Sequence, residues 1–202
     1  MQISTKQQEI DGILSELAGI KSLFQRVASL IPSFNIADPK LLPYGLKPHT
    51  RSISWIAEQV ITQQAKFNAK LLLIDDVNID VPDTSLHDCV VHSKGIEYYV
   101  NVKVHNADGK KNKNDISAVA KLFMQYTSNP SYRLMYVCFP VTFNNTLISI
   151  GGNAHVFSPQ FLPVYVNPNN DKIQAYYEHH PEIRSRQEFL DLLKAKSKSI
   201  VL

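Results

Sequence analysis

Residues 96–105 read IEYYVNVKVH, and within this stretch hydrophobic residues alternate with mostly polar ones. One set holds Ile96, Tyr98, Val100, Val102 and Val104, and the other holds Glu97, Tyr99, Asn101, Lys103 and His105. A period of two over ten residues predicts a β-strand with one buried face. Asn101 and Lys103 then stand side by side on the other face, about 7 Å apart along the strand.

The elements around this strand predict a mixed α/β sheet. A short turn, SKG at 93–95, joins it to an apolar stretch before it, as in a β-hairpin. The expected order is helix, three strands, helix, strand, which is typical of a mixed central β-sheet flanked by helices. The expected elements are a helix from near Ser52, strands over 69–81, 87–93 and 96–106, a helix from Asp115 and a strand over 132–141.

The whole chain of 202 residues is the length of one α/β domain. We divide it into an N-terminal helix and irregular connection (1–50), a core (51–143), and C-terminal strands with a last helix from about Ser185 (144–202). The first helix, over 5–31, has apolar residues at alternating spacings of three and four. That pattern favours packing on its own domain, although it also allows pairing with a second subunit.

The composition is that of an ordinary globular protein, with 44% hydrophobic and 19% charged residues. The net charge of +3 permits a nucleic-acid partner without requiring one. No signal-peptide pattern and no apolar run of membrane-spanning length occur, so we expect a soluble, cytoplasmic protein and no membrane partner.

The polar face of the strand gains a carboxylate from the hairpin. A turn at SKG brings Asp88 close to Asn101 and Lys103, and the helix before the sheet offers Glu58. Carboxylate and amide oxygens suit a hard divalent cation such as Mg²⁺, and a neighbouring lysine can stabilise charge on a phosphate. Each residue also has an ordinary structural interpretation: Lys103 on a solvated strand face, Glu58 on an exposed helix face, and Asp88 at the hairpin surface.

The motifs HDCVV (87–91) and NVK (101–103), with this order of elements, resemble the PD-(D/E)XK nuclease superfamily over residues 52–143. The superfamily includes many type II restriction endonucleases. The resemblance implies that Asp88 is the first acid and a metal ligand, and that Lys103 is the catalytic lysine. It places Asn101 at the second acidic position, gives the carbonyl of Val102 to the metal, and matches Glu58 to an acid on the preceding helix.

The sequence departs from that pattern at two positions. His87 stands where the pattern has proline before the first acid, and Asn101 stands where it has an acid. A literal Pro-Asp pair occurs at Pro82–Asp83, but no apolar strand follows it, so we favour Asp88 over Asp83. An amide oxygen brings no negative charge, and Glu58 could supply the charge that Asn101 lacks.

The resemblance implies a Mg²⁺-dependent DNA endonuclease of the type II restriction kind, with Mn²⁺ able to replace Mg²⁺ and with a homodimer acting on double-stranded DNA. The lysine-rich stretch GKKNKND (109–115) is either a solvated loop or a DNA-contacting one. The expected DNA contacts are Lys110, Lys111, Lys113, Asn114 and Arg51. The alternative is a catalytically inactive protein that keeps the nuclease fold to bind DNA or a protein partner.

Overall fold

The computed structural model of the chain describes residues 2–44, 50–107, 114–175 and 180–196. The helices are α1 (Gln2–Ser29), α2 (Thr50–Phe67), α3 (Ala69–Leu72), α4 (Val119–Ser128) and α5 (Arg186–Lys196). The strands are β1 (Phe34–Asn35), β2 (Asp76–Asn78), β3 (Cys89–Ser93), β4 (Ile96–Asn106), β5 (Asn114–Ala118), β6 (Leu134–Asn144), β7 (Leu147–Ile150), β8 (His155–Phe157), β9 (Tyr165–Asn167) and β10 (Lys172–Ala175).

The main sheet is mixed, as the sequence predicts. Within the described residues it has seven strands in the order β1-β7-β6-β4-β3-β2, with β8 also paired with β6. β3 and β4 form the expected antiparallel hairpin, and Lys94 and Gly95 at its turn have positive φ angles of 53° and 75°, as a type I′ turn requires. β4 and β6 are parallel, so the chain crosses over between them through β5 and α4.

The centre of β4 is buried on both faces. Val100 and Val102 pack with residues of α1 and α2, while the opposite face of the neighbouring β6 packs with α4 and α5. Asn101 is only 8% exposed. The expectation of a single buried face is therefore wrong at the middle of this strand, because helices cover both sides of the β4–β6 pair.

The first predicted strand, over 69–81, is largely wrong. Its beginning forms α3, and only Asp76–Asn78 is strand β2. Alanine, lysine and leucine are strong helix formers, and Leu73, with φ of 60°, ends the helix in the left-handed conformation. The apolar run in this stretch looked like a buried strand but is a short helix and its cap.

The helix predicted from Asp115 begins later, at Val119. Residues Asn114–Ala118 form β5 in a separate sheet, whose order within the described residues is β5-β10-β9. The partner strand β10 lies more than fifty residues further along the chain. Pairing over that distance overrides the local helical pattern, which a short sequence window cannot detect.

The terminal helices pack on this same chain. The apolar side of α1, including Ile20, Phe24 and Val27, is buried in the core that contains α2 and the main sheet, as the sequence favoured. α5 begins at Arg186, one residue after the expected start. None of the helices in the described ranges is long and apolar enough to span a lipid bilayer.

Arg186 joins α5 to the end of α4. Its guanidinium donates to the carbonyl oxygens of Tyr126, Asn129 and Tyr132 at 2.5–3.1 Å, and its Cζ lies 4.7 Å from the centroid of the Tyr126 ring. The Tyr126 carbonyl lies in the last turn of α4, where helix carbonyls lack an intrahelical partner. The other two lie just beyond the helix, and that of Asn129 also accepts the Tyr132 N–H at 3.0 Å. The several N–H donors of one arginine thus reach three carbonyls.

We predict that Arg186→Lys lowers the free energy of unfolding by about 2 kcal/mol, because a lysine cannot reach the three carbonyls at once. Urea titration followed by circular dichroism measures this change. Gln187→Ala, at an exposed neighbouring position, is the control and should leave the midpoint unchanged. Equal midpoints for Arg186→Lys and the wild-type protein would contradict this role for Arg186.

Candidate active site

An open edge of β4 forms the base of the site. β3 begins at Cys89, opposite Val100, so β4 extends beyond it from Asn101 onwards. Asp88 occupies the place where the partner strand would continue: its N–H donates to the Val100 carbonyl at 2.8 Å, and its Oδ2 accepts from the Val102 N–H at 2.7 Å. The carboxylate thus takes one backbone hydrogen bond that a longer β3 would have made.

Lys103 also reaches this edge of β4. By alternation along the strand, its side chain lies on the face of the sheet opposite the Val102 side chain. Its Nζ nevertheless donates to the Val102 carbonyl at 3.1 Å and lies 3.9 Å from Asp88 Oδ2. The ammonium group is also 3.6 Å from Glu58 Oε1, so three oxygens from three separate elements surround one cation.

Glu58 comes from α2, which packs on the Val102 face of the sheet through Ile61 and Ala65. The Glu58 side chain is 18% exposed, against 32% for Asp88 and 35% for Lys103. None of the three is a freely solvated surface side chain. The structure therefore brings together Asp88, Lys103 and Glu58, the three charged residues that the sequence pointed to.

The environment of Glu58 and Asp88 disfavours the charged form of both carboxylates. The pKa of Glu58 is raised to about 7: burial is the largest cause, the nearby Asp88 acts in the same direction, and Lys103 acts against them. Burial also raises the pKa of Asp88, against the lowering effects of Lys103 and of the Val102 N–H. One lysine does not fully compensate two partly buried carboxylates, so a further positive charge would be favourable here.

Asn101 precedes Val102 and Lys103 on β4, and its amide group bonds to a backbone carbonyl outside this charged cluster. Its Nδ2 donates to the Leu86 carbonyl at 2.9 Å, which fixes the orientation of the amide. Its Oδ1 is buried and has no hydrogen-bond partner in the described part of the chain. Such an unsatisfied buried oxygen is uncommon in folded proteins.

The oxygen chemistry of the cluster fits a hard divalent cation. The Lys103 ammonium already stands as a cation among the oxygens of Val102, Asp88 and Glu58. Carboxylate, carbonyl and amide oxygens are the preferred ligands of Mg²⁺. Across the described residues, no three His, Cys, Asp or Glu side chains form a metal-binding group, so neutral oxygens would have to complete the set.

The other expected residues lie elsewhere. Asp83 is exposed in a turn closed by Ser85 N–H and the Pro82 carbonyl at 2.8 Å, away from the strand edge that Asp88 occupies. Lys110, Lys111 and Lys113 fall outside the described residues, and so do the side chains of Asn114 and Arg51.

Sequence reasoning missed two neighbours of the cluster. The first is the Leu86 carbonyl that holds Asn101, because a backbone partner leaves no mark on residue type. The second is Trp55, which is 69% exposed on α2, one turn before Glu58. A spacing of three residues on a helix places the two side chains close together on its surface, and this signal was available in the sequence.

Comparison with solved structures gives a match over almost the whole chain. The fold is similar to that of the NlaIV restriction endonuclease, with a TM-score of 0.54 and 11% sequence identity over 94% of this chain and 78% of that one. The chain has a restriction-endonuclease-like fold. The mixed α/β class expected from the sequence is thereby confirmed. No protein-family model and no curated protein sequence matches the chain.

We predict that Glu58→Gln stabilises the metal-free protein more at pH 8 than at pH 5. The folded-state pKa of Glu58 is raised to about 7, so its carboxyl favours folding below its unfolded value near 4.5 and loses that contribution as the pH rises to 7. Glutamine has no such loss, and the gain of the variant over wild type should grow by about 1–2 kcal/mol, allowing for solvent screening. Melting curves in EDTA at both pH values measure it, and a pH-independent difference would contradict the raised pKa.

Proposed function

We propose that the protein is a Mg²⁺-dependent endodeoxyribonuclease that hydrolyses phosphodiester bonds, of the type II restriction kind. The observation that carries the proposal is the meeting of Asp88, Glu58 and Lys103 around the backbone of Val102 at the open edge of β4. Two acids, a backbone carbonyl and a lysine at one strand edge suit phosphodiester hydrolysis assisted by a metal ion. The similarity of the fold to a restriction endonuclease supports it.

In this proposal the carboxylates of Asp88 and Glu58, the carbonyl of Val102 and Oδ1 of Asn101 would hold the ion. When bound, Mg²⁺, or Mn²⁺ in its place, would lower the pKa of a bound water and polarise the phosphoryl oxygen. Glu58 supplies the second negative charge that Asn101 cannot. Its raised pKa means that ion binding competes with protonation at this carboxyl near neutral pH.

Lys103 has the role of stabilising negative charge that builds up on the phosphate during attack by water. Its ammonium donates to the Val102 carbonyl, which is one of the proposed ligands. If that carbonyl and the carboxylates held an ion instead, the N–H donors of Lys103 would be available to a phosphate oxygen.

The proposed substrate is double-stranded DNA, and the proposed acting form is a homodimer, because two-fold symmetry in the protein matches palindromic sites. Lys110, Lys111 and Lys113 would contact phosphates, together with Arg51 at the start of α2. Asn114 could hydrogen-bond to a base edge.

We predict that Lys103→Ala reduces DNA cleavage by at least about 100-fold, because it removes charge stabilisation in the transition state. DNA binding should change little, since one phosphate contact among many is lost. Plasmid nicking with Mg²⁺, Mn²⁺ or EDTA measures cleavage, and gel-shift assays measure binding. Lys40→Ala, at an exposed lysine, is the matched control and should cut like wild type. Undiminished cutting by Lys103→Ala would reject this role for the lysine.

The second candidate function is DNA binding without cleavage, and the amide at position 101 favours it. An ion bound by two carboxylates and neutral oxygens is held less tightly than one with a third acid. The two functions separate in the same assay, because binding without metal-dependent cutting supports the second alone.

Trp55 gives a direct readout of DNA at the site. It is the only tryptophan in the chain, and it is 69% exposed beside Glu58. We predict that DNA quenches its fluorescence, because a base or sugar then replaces water around the indole, and that the apparent Kd rises steeply with salt. Trp55→Phe should abolish the signal while gel-shift binding persists. Unchanged fluorescence at saturating DNA would place the DNA away from this site.

A further inference from the structure

The side chain of Asn101 is buried against a backbone carbonyl rather than facing solvent. Its exposed fraction is 8%, and that of Leu86, whose carbonyl accepts its hydrogen bond at 2.9 Å, is 9%. A buried carbonyl that loses its donor keeps the full cost of desolvation. The N–H half of this amide therefore has a structural task that is separate from any role of its oxygen.

That task concerns the segment that presents Asp88. Regular pairing between β3 and β4 starts only at Cys89, and a turn at 82–85 precedes the segment. Three hydrogen bonds tie residues 86–88 to β4: the Asn101 amide donates to the Leu86 carbonyl, the Val100 carbonyl accepts from the Asp88 N–H, and the Val102 N–H donates to the Asp88 carboxylate. The hydrogen bond from Asn101 to Leu86 is the one furthest from the start of β3, so it holds the far end of the segment against β4.

An acid at position 101 could not do this. A carboxylate of the same shape has acceptors only, and it would set a negative oxygen against the Leu86 carbonyl oxygen. The segment would move away from β4, and the carboxylate of Asp88 would move with it.

We propose that Asn101 is a positioning residue, whose side-chain N–H holds residues 86–88 against β4 so that the Asp88 carboxylate meets Val102. Its consequence for catalysis rests on the proposed nuclease function. This positioning role explains why position 101 holds an amide. The fold needs a hydrogen-bond donor there, and Glu58 provides the negative charge that an acid at 101 would have provided. Introducing an acid at 101 therefore weakens the site, although it adds a charged ligand.

The test is Asn101→Asp, which keeps the oxygen and removes the donor. At pH 8 in EDTA its melting temperature should fall by roughly 5–10 °C. Its affinity for Mn²⁺, measured by calorimetry, should fall rather than rise, and kcat should drop at least about 10-fold while KM for DNA changes less than about 3-fold. Asn35→Asp is the matched control, because the Asn35 amide accepts from Thr146 through Oδ1 and aspartate keeps that acceptor. It should melt like wild type.

A second measurement needs no variant. In the wild-type protein the side-chain NH₂ of Asn101 should exchange with solvent far more slowly than that of Asn35, as followed by ¹⁵N NMR. Equal exchange rates would overturn the proposal, and so would an Asn101→Asp protein with an unchanged melting temperature and tighter Mn²⁺ binding. A wild-type protein that does not cut DNA, together with a destabilised Asn101→Asp protein of weaker Mn²⁺ affinity, would reject the nuclease function and leave the positioning role intact.

Discussion

The hydrogen bond from the Val102 N–H to the Asp88 carboxylate is the interaction on which the site depends. β3 stops short of Asp88, so β4 would otherwise expose a backbone donor at this edge. The carboxylate satisfies that donor and is fixed in place by it. The Val102 carbonyl lies at the same edge. The end of the β3–β4 pairing therefore fixes the Asp88 carboxylate in place and also leaves a backbone carbonyl oxygen without a partner strand.

The rest of the fold fixes this edge. Both faces of the β4–β6 pair are covered by helices, and Val100 and Val102 are fully buried beside Asn101. α2 carries Glu58 to the site because its apolar face packs against the sheet. The core therefore compensates the cost of two carboxylates that burial disfavours, a local conflict of the kind that functional sites often hold.

Much of this arrangement could be predicted from the sequence. Strict alternation gave the bounds of β4, and a glycine-containing turn gave the hairpin, so the approach of Asp88 to Lys103 followed from strand geometry. The contact of Glu58 with Lys103 depended on how α2 packs, and the sequence could only suggest it. The functional roles of these residues stay predictions.

Other features were beyond a single sequence. The apolar run that forms α3 predicts a strand, because short apolar runs suit either structure. The local pattern at β5 predicts a helix, and its partner strand β10 lies too far along the chain for a short sequence window to detect the pairing. The burial of Asn101 was also missed, since alternation shows which residues share a face but not whether a second layer of helices covers it.

The most direct test of this site is the anomalous diffraction of crystals soaked in Mn²⁺, with and without a DNA duplex. We predict one ion in contact with the Asp88 carboxylate and the Val102 carbonyl, with the Lys103 ammonium displaced from that carbonyl. An ion bound elsewhere, or no ion at millimolar Mn²⁺ with Lys103 still on the Val102 oxygen, would contradict it.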